Sequence, residues 1–104
     1  MIVLLDECVP AKLRHLIPEH TVHSACFAKL SAVRNGQLLA LAEKEYQVLL
    51  TVDGNMSNQN KISKFKIGVF VIQAKNNSME QLALKTDAIK EALKRIKPGQ
   101  VIVV

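Results

Sequence analysis

Two apolar runs in this chain end in acids. "VLLDECVP" places Asp6 and Glu7 directly after residues 3–5, and "VLLTVDGNM" places Asp53 two residues beyond Thr51, with Asn55 following. Carboxylates and carboxamides gathered in one place make an all-oxygen cluster of the kind that hard cations such as Mg²⁺ or Mn²⁺ prefer. A bound ion would let adjacent acids stay ionised, polarise a phosphate and lower the pKa of an attacking water. The competing reading is simpler: aspartate, asparagine and glycine favour turns, and an acid such as Glu7 in a first helical turn is favoured by the helix dipole. The choice depends on whether the fold brings the segments together.

The elements follow from the pattern. "MIVLL", "VLLTV" and "IGVFVIQ" are short, continuously apolar, β-rich runs, as expected of strands covered on both faces, and "HTVHS" and "QVIVV" add two more. Between them "VPAKLRHLI" repeats Leu13, Leu16 and Ile17 at helical spacing, with Pro10 at its start and Pro18 as its stop. "NGQLLALAEKEY" reads as a helix capped by Asn35, with Leu38, Leu41, Ala42 and Glu45 on one face and Leu39 beside it. "DGNMSNQNKISK" reads as a polar loop with room for a short helix. "NNSMEQLALKTDAIKEALKRIK" is the longest predicted helix, with Ser78 and Gln81 as a capping box and Leu82, Ile89, Leu93 and Ile96 as the apolar stripe.

Apolar strands alternating with helices imply a parallel sheet between helical layers. Right-handed crossovers then give a three-layer α/β/α sandwich with a mostly parallel sheet of about five strands, in a single domain over residues 1–104. In such a sheet ligands bind at the carboxyl edge. Asp6 and Glu7 follow the first strand, Asp53 and Asn55 follow the "VLLTV" strand, and Asn35 opens the helix between them, so all five are expected at one rim. Thr51 is expected to orient the carboxylate of Asp53. Glu43 and Glu45, about 12 Å farther along their helix at 1.5 Å per residue, belong to the opposite edge.

At this point the order of segments resembles a known group. "LLDECVP", "NGQLLALAEKE", "VLLTVDGNM" and "KPGQVIVV" are similar, over essentially the whole chain, to small bacterial PIN-like proteins, relatives of the PIN ribonuclease toxins of toxin–antitoxin pairs. The resemblance implies an α/β/α sandwich whose acids bind Mg²⁺ or Mn²⁺ and hydrolyse RNA phosphodiesters, with an antitoxin protein as partner. The family's first aspartate matches Asp6 and the aspartate of its T-x-D segment matches Asp53, so these carry the catalytic role. The family's acid at the start of the middle helix falls on Asn35, and the acid after the T-x-D segment falls on Asn55. An amide oxygen can ligate a metal but brings no charge; Glu7 could restore some.

Composition agrees with this reading. Fourteen Lys and Arg against nine Asp and Glu give a net charge of +5, which attracts phosphate backbones. Arg34, Lys61, Lys64, Lys66 and Lys75 flank the proposed edge and could hold RNA, although lysines at loop ends are commonly just solvated, as Lys85, Lys90, Lys94 and Lys97 on the polar side of the last helix are expected to be. With no Trp, one Tyr and three Phe, aromatic stacking on bases is not a large term. No apolar run reaches the roughly 20 residues of a membrane span, the first apolar run is too short for a signal peptide, and Cys8 and Cys26 read as free thiols, so a cytoplasmic location is expected. A homodimer is a reasonable expectation for so small a domain.

Rival chemistry is thinner. His20, His23 and Cys26 suggest zinc, but on one strand the histidines would point to opposite faces and no second ligand pair has a finger-like spacing. Cys8 reads as a small buried hydrophobe, with no histidine required beside it. Two other functions fit parts of the pattern. One is a PIN-like module without turnover that binds an antitoxin or RNA. The other is a phosphorelay receiver, which lacks support because Gln73-Ala74 follows the fourth strand where a hydroxyl residue is needed.

Overall fold

The computed structural model of the chain describes residues 1–33, 35–55, 62–76 and 78–104, and at Asn35 the backbone alone. Five strands form one sheet: β1 (Ile2–Leu5), β2 (Thr21–Ser24), β3 (Val48–Thr51), β4 (Gly68–Val71) and β5 (Val101–Val103). Their spatial order is β2-β1-β3-β4-β5 and every pairing is parallel. Helices cover both faces, so the chain is an α/β/α sandwich. Among the described residues no helix is long and apolar enough to cross a membrane.

Alternation along each strand sorts the core into two layers. Val3, Leu5, Val48, Leu50 and Phe70 face a first layer completed by Leu13 and Ile17 of the segment after β1 and by Leu82, Ile89, Ala92, Leu93 and Ile96. Leu4, Leu49, Val69 and Val71 face a second layer with Leu38, Leu39, Ala42, Tyr46, Ile62 and Ile67. The continuously apolar strands therefore do have two covered faces, as their sequences require.

The helices differ from expectation in three places. The segment after β1 is a 3₁₀ helix over Ala11–Leu16 rather than an α-helix. Helix α1 (Asn35–Ala42) buries Leu38, Leu39 and Ala42 and leaves Leu41 exposed, so its apolar stripe is one residue off the one read from the sequence. The long last helix is broken into α2 (Met79–Ala83) and α3 (Thr86–Leu93). At the break Lys85 takes φ −98° and ψ 5°, and the Thr86 hydroxyl donates to the Ala83 carbonyl at 2.7 Å. That local bond replaces part of the helical ladder, as threonine hydroxyls near a bend can. Ser78 caps α2 by accepting the Gln81 N–H at 3.3 Å, but its own N–H donates to the Asn76 carboxamide, so only half of the expected capping box forms.

The crossovers carry the main topological finding. The first, from β1 to β2, passes over the first face; the second and third, through α1 and through the 3₁₀ turn Ile62–Lys64, pass over the second face in the opposite direction and so share its hand. The fourth, through α2 and α3, runs toward the β5 edge but returns to the first face, and its hand is therefore reversed. Right-handed crossovers are the strong rule, and the expectation that all would obey it fails here. The cause is coverage: without α2 and α3 the first face would have only the short 3₁₀ segment to hide Leu50, Phe70 and Ile72. Close approach is built in, because a Cβ at Gly68 would lie 2.8 Å from Cγ1 of Ile96.

Candidate active site

Because the first and fourth crossovers use the first face and the second and third use the other, the chain leaves β1 and β4 toward the first face and β2 and β3 toward the second. Wherever neighbouring strands exit to opposite faces, a crevice opens at the carboxyl rim. Asp6 and Asp53 flank the one between β1 and β3.

The geometry there starts from register. Leu5 pairs with Leu50, so the next residues in line, Asp6 and Thr51, stand side by side on the same face. The Asp6 main-chain N–H donates to the Leu50 carbonyl at 2.9 Å, which extends the pairing by one residue. Thr51, fully buried, donates its hydroxyl proton to Asp6 Oδ2 at 2.8 Å and accepts the Asp53 main-chain N–H at 3.0 Å. One buried oxygen thus ties the end of β1 to the turn after β3, and Asp6 Oδ2 can be no farther from the Asp53 amide than these two bonds laid end to end. Asp6 Oδ1 accepts the Glu7 N–H at 2.8 Å, so both oxygens of this half-buried carboxylate are held. Asp53 is exposed, and its Oδ1 accepts the Asn55 N–H at 2.9 Å.

Thr51 therefore orients Asp6 rather than the carboxylate of Asp53, to which it supplies only a main-chain anchor. The register explains this: Asp53 lies two residues beyond the last paired residue, out of reach of a neighbour-to-neighbour side-chain contact. The other sequence-derived candidates separate. Glu7 turns to the β2 side of β1, where its Oε2 accepts the Ala32 N–H at 3.2 Å. Ala32 has φ 71°, a left-handed conformation that costs a non-glycine residue energy, so Glu7 steadies a strained part of the loop after β2. With Asp6 it lines a crevice of about 310 Å³ between the exits of β1 and β2, shared with Ser24, Cys26 and Ser31. Asn35 begins α1 at this rim, and Asn55 contributes its main chain to the Asp53 turn.

Of the basic residues, Lys75 is exposed on the segment leaving β4, at the carboxyl rim. Lys64 is not. Its 3₁₀ turn precedes β4 and packs beside Gly99, whose missing Cβ would lie 3.4 Å from Ser63 Cα, and this belongs to the amino rim. The expectation that Lys64 and Lys66 flank the acids fails, because both come just before β4 and so lie at the amino end of that strand. Glu43 lies at the amino rim as expected, its Oε1 accepting the Lys66 N–H at 2.7 Å. Arg34 and Lys61 lie outside the described residues.

Cys8 is the residue that sequence reasoning undervalued. Its thiol donates to Asp6 Oδ2 at 3.6 Å and lies 3.6 Å from the Thr51 hydroxyl. Burial pushes the thiol pKa up and the Asp6 charge adds to this, while hydrogen bonds from the Val52 main chain and Thr51 act the other way. Its place two residues after Asp6, on the same turn, was the available signal. Both cysteines are free thiols.

The carboxylate oxygens at the centre have the Cys8 thiol beside them and are sparse: among the described residues no group of three or more His, Cys, Asp or Glu is placed to hold a metal ion. Mg²⁺ is commonly held by one or two carboxylates with waters filling the remaining positions. Two carboxylates, those of Asp6 and Asp53, do not make a fully protein-ligated cage, and an ion held by them would take most of its ligands from water. Comparison with known proteins adds no relative: no family model, no curated protein and no solved structure matches the chain.

Proposed function

We propose that the chain is a metal-dependent endoribonuclease-like protein of the PIN kind, acting on RNA in the cytoplasm as the toxin of a toxin–antitoxin pair. The observation that carries the reading is the Thr51 hydroxyl, buried and bonded to both Asp6 and the Asp53 main chain, at the crevice where a parallel sheet binds its ligands. A strand-end acid serving only as a turn residue needs no such tie to a second strand.

Asp6 and Asp53 would hold one Mg²⁺ or Mn²⁺, with Asn55 and Asn35 as neutral oxygen donors, and the bound ion would supply charge neutralisation at a phosphodiester and a more acidic water. The chain's own contribution is orientation. Thr51, the Glu7 amide and the Cys8 thiol fix the Asp6 carboxylate before substrate arrives, and Lys75, with the net charge of +5, draws the RNA backbone to the rim. Hydrolysis of an RNA oligonucleotide, measured with Mn²⁺ and with EDTA, tests the proposal. Cleavage should vanish in EDTA and in Asp53→Asn; cleavage undiminished in either removes it.

One observation favours a second reading. Among the described residues no third acid joins the two carboxylates, and two alone bind an ion weakly, which suits a PIN-like module that binds RNA or an antitoxin without turnover. Calorimetry separates the two, since an inert module would show RNA binding but no heat on adding Mn²⁺. The strand order is also that of phosphorelay receivers, but β4 leads into Ile72, Gln73 and Ala74, which offer no hydroxyl where a receiver needs one.

A further inference from the structure

The reversed last crossover gives the rim another crevice, between β3 and β4, which the carboxylate chemistry does not use. The chain leaves β3 toward the second face and β4 toward the first, and the gap between the two exits holds about 520 Å³. That lies within the roughly 300–1,000 Å³ of small-ligand sites. Val52 and Gly54, the residues on either side of Asp53, form one wall; Ile72, Gln73 and Ala74 form the other, and Val103 closes the side toward β5. A Cβ at Gly54 would meet nothing within 4 Å, so the wall beside Asp53 is open.

The two crevices differ in charge. The one between β1 and β2 contains Asp6 and Glu7 and repels anions. Among the described residues lining the β3–β4 crevice none is charged, and Gln73 carries their single hydrogen-bonding side chain. Aliphatic side chains, exposed main-chain polar groups and one carboxamide match an uncharged planar group with polar edges, since a base removed from its stack packs between apolar side chains and is read along its edge. A carboxamide both donates and accepts, which is what a base edge needs. A phosphate finds no cation among the described residues of these walls, whereas Lys75, two residues past Gln73, is exposed at the same rim and available to the backbone of such a nucleotide.

We propose that the β3–β4 crevice is a subsite for one unpaired nucleobase of the RNA substrate, with Gln73 as the residue that discriminates between bases. The inference rests on the nuclease reading for its polymer, but the pocket can be tested without turnover. The full-length protein, free of added metal, is titrated with adenosine, guanosine, cytidine and uridine while backbone amide NMR signals are followed. The expected result is saturable shifts at Gly54, Ile72, Gln73 and Ala74 with one nucleoside preferred by roughly tenfold, the discrimination one side-chain-to-base contact supplies. Gln73→Ala should flatten that preference, Ala74→Leu should abolish binding, and Asp53→Asn should leave it intact. Saturable binding in a protein that cleaves no RNA would retain the subsite and reject the nuclease. Metal-dependent cleavage with no nucleoside-induced shift, or unchanged binding in Ala74→Leu, would overturn the subsite alone.

Discussion

Replacing Thr51 with valine keeps the shape of a fully buried side chain and removes the oxygen that joins the two acidic segments. A hydrogen bond to an ionised carboxylate contributes about 1.5–3 kcal/mol, and a neutral one about 1 kcal/mol. The Asp53 turn is exposed, so water can replace the lost acceptor for its N–H; Asp6 is half-buried and keeps only the Glu7 amide and the Cys8 thiol. The expected net loss is about 2 kcal/mol of stability, read as a fall of about 1 M in the urea midpoint at the slopes usual for small domains. Because a carboxylate freed to rotate no longer presents a fixed ligand, RNA cleavage should fall about 100-fold, while Thr51→Ser should remain close to wild type. The decisive measurement is a double-mutant cycle. In an Asp6→Ala background the valine substitution should cost only the Asp53 contact, giving a coupling energy of about 1–2 kcal/mol between Thr51 and Asp6. A coupling energy of zero would refute the claim that Thr51 holds Asp6.

Four further outcomes are expected. The Cys8 thiol is raised by burial above its ordinary value of 9.0, so between the unfolded and folded values the native state holds the extra proton; stability should therefore be full below about pH 9 and fall as pH rises beyond it, a loss that Cys8→Ala removes from urea titrations. At neutral pH iodoacetamide should label exposed Cys26 and spare Cys8, as mass spectrometry of the folded protein would show. Gly68→Ala forces a Cβ to within 2.8 Å of Ile96 and 3.1 Å of the Lys97 carbonyl, and should lower stability by about 1–3 kcal/mol in the same assay. Lys75→Glu should weaken RNA binding, measured by fluorescence anisotropy, and reduce its salt dependence, whereas Lys64→Glu at the amino rim should change neither.

The strands were legible because each is a short apolar run bounded by turn residues, and the adjacency of Asp6 and Thr51 follows from parallel register once β1 and β3 are neighbours. Other features were beyond the pattern. The 3₁₀ geometry after β1 and the break at Lys85 depend on local hydrogen bonds, such as that of the Thr86 hydroxyl, that no apolar period encodes. Lys64 and Lys75 look alike in the sequence, since both lie in polar segments near β4, yet one precedes the strand and the other follows it, and that places them on opposite rims. The hand of the last crossover was read from a general rule, and the rule was overridden by the need to cover Phe70 and Ile72.

That override has a consequence at the rim. Had α2 and α3 packed on the second face, the chain would leave β3 and β4 on the same side, and no gap would open between Val52 and Gln73. Covering the first face with the last two helices instead separates the exits immediately beside Asp53, so a demand of the hydrophobic core creates space next to a carboxylate. The same arrangement of exits leaves Glu7 on the β2 side, where its carboxylate accepts the Ala32 N–H instead of joining Asp6 and Asp53. Acids and crevices are thus distributed along the carboxyl edge by which face each helix must cover, and the chemistry open to the rim is set by core packing as much as by the acids themselves.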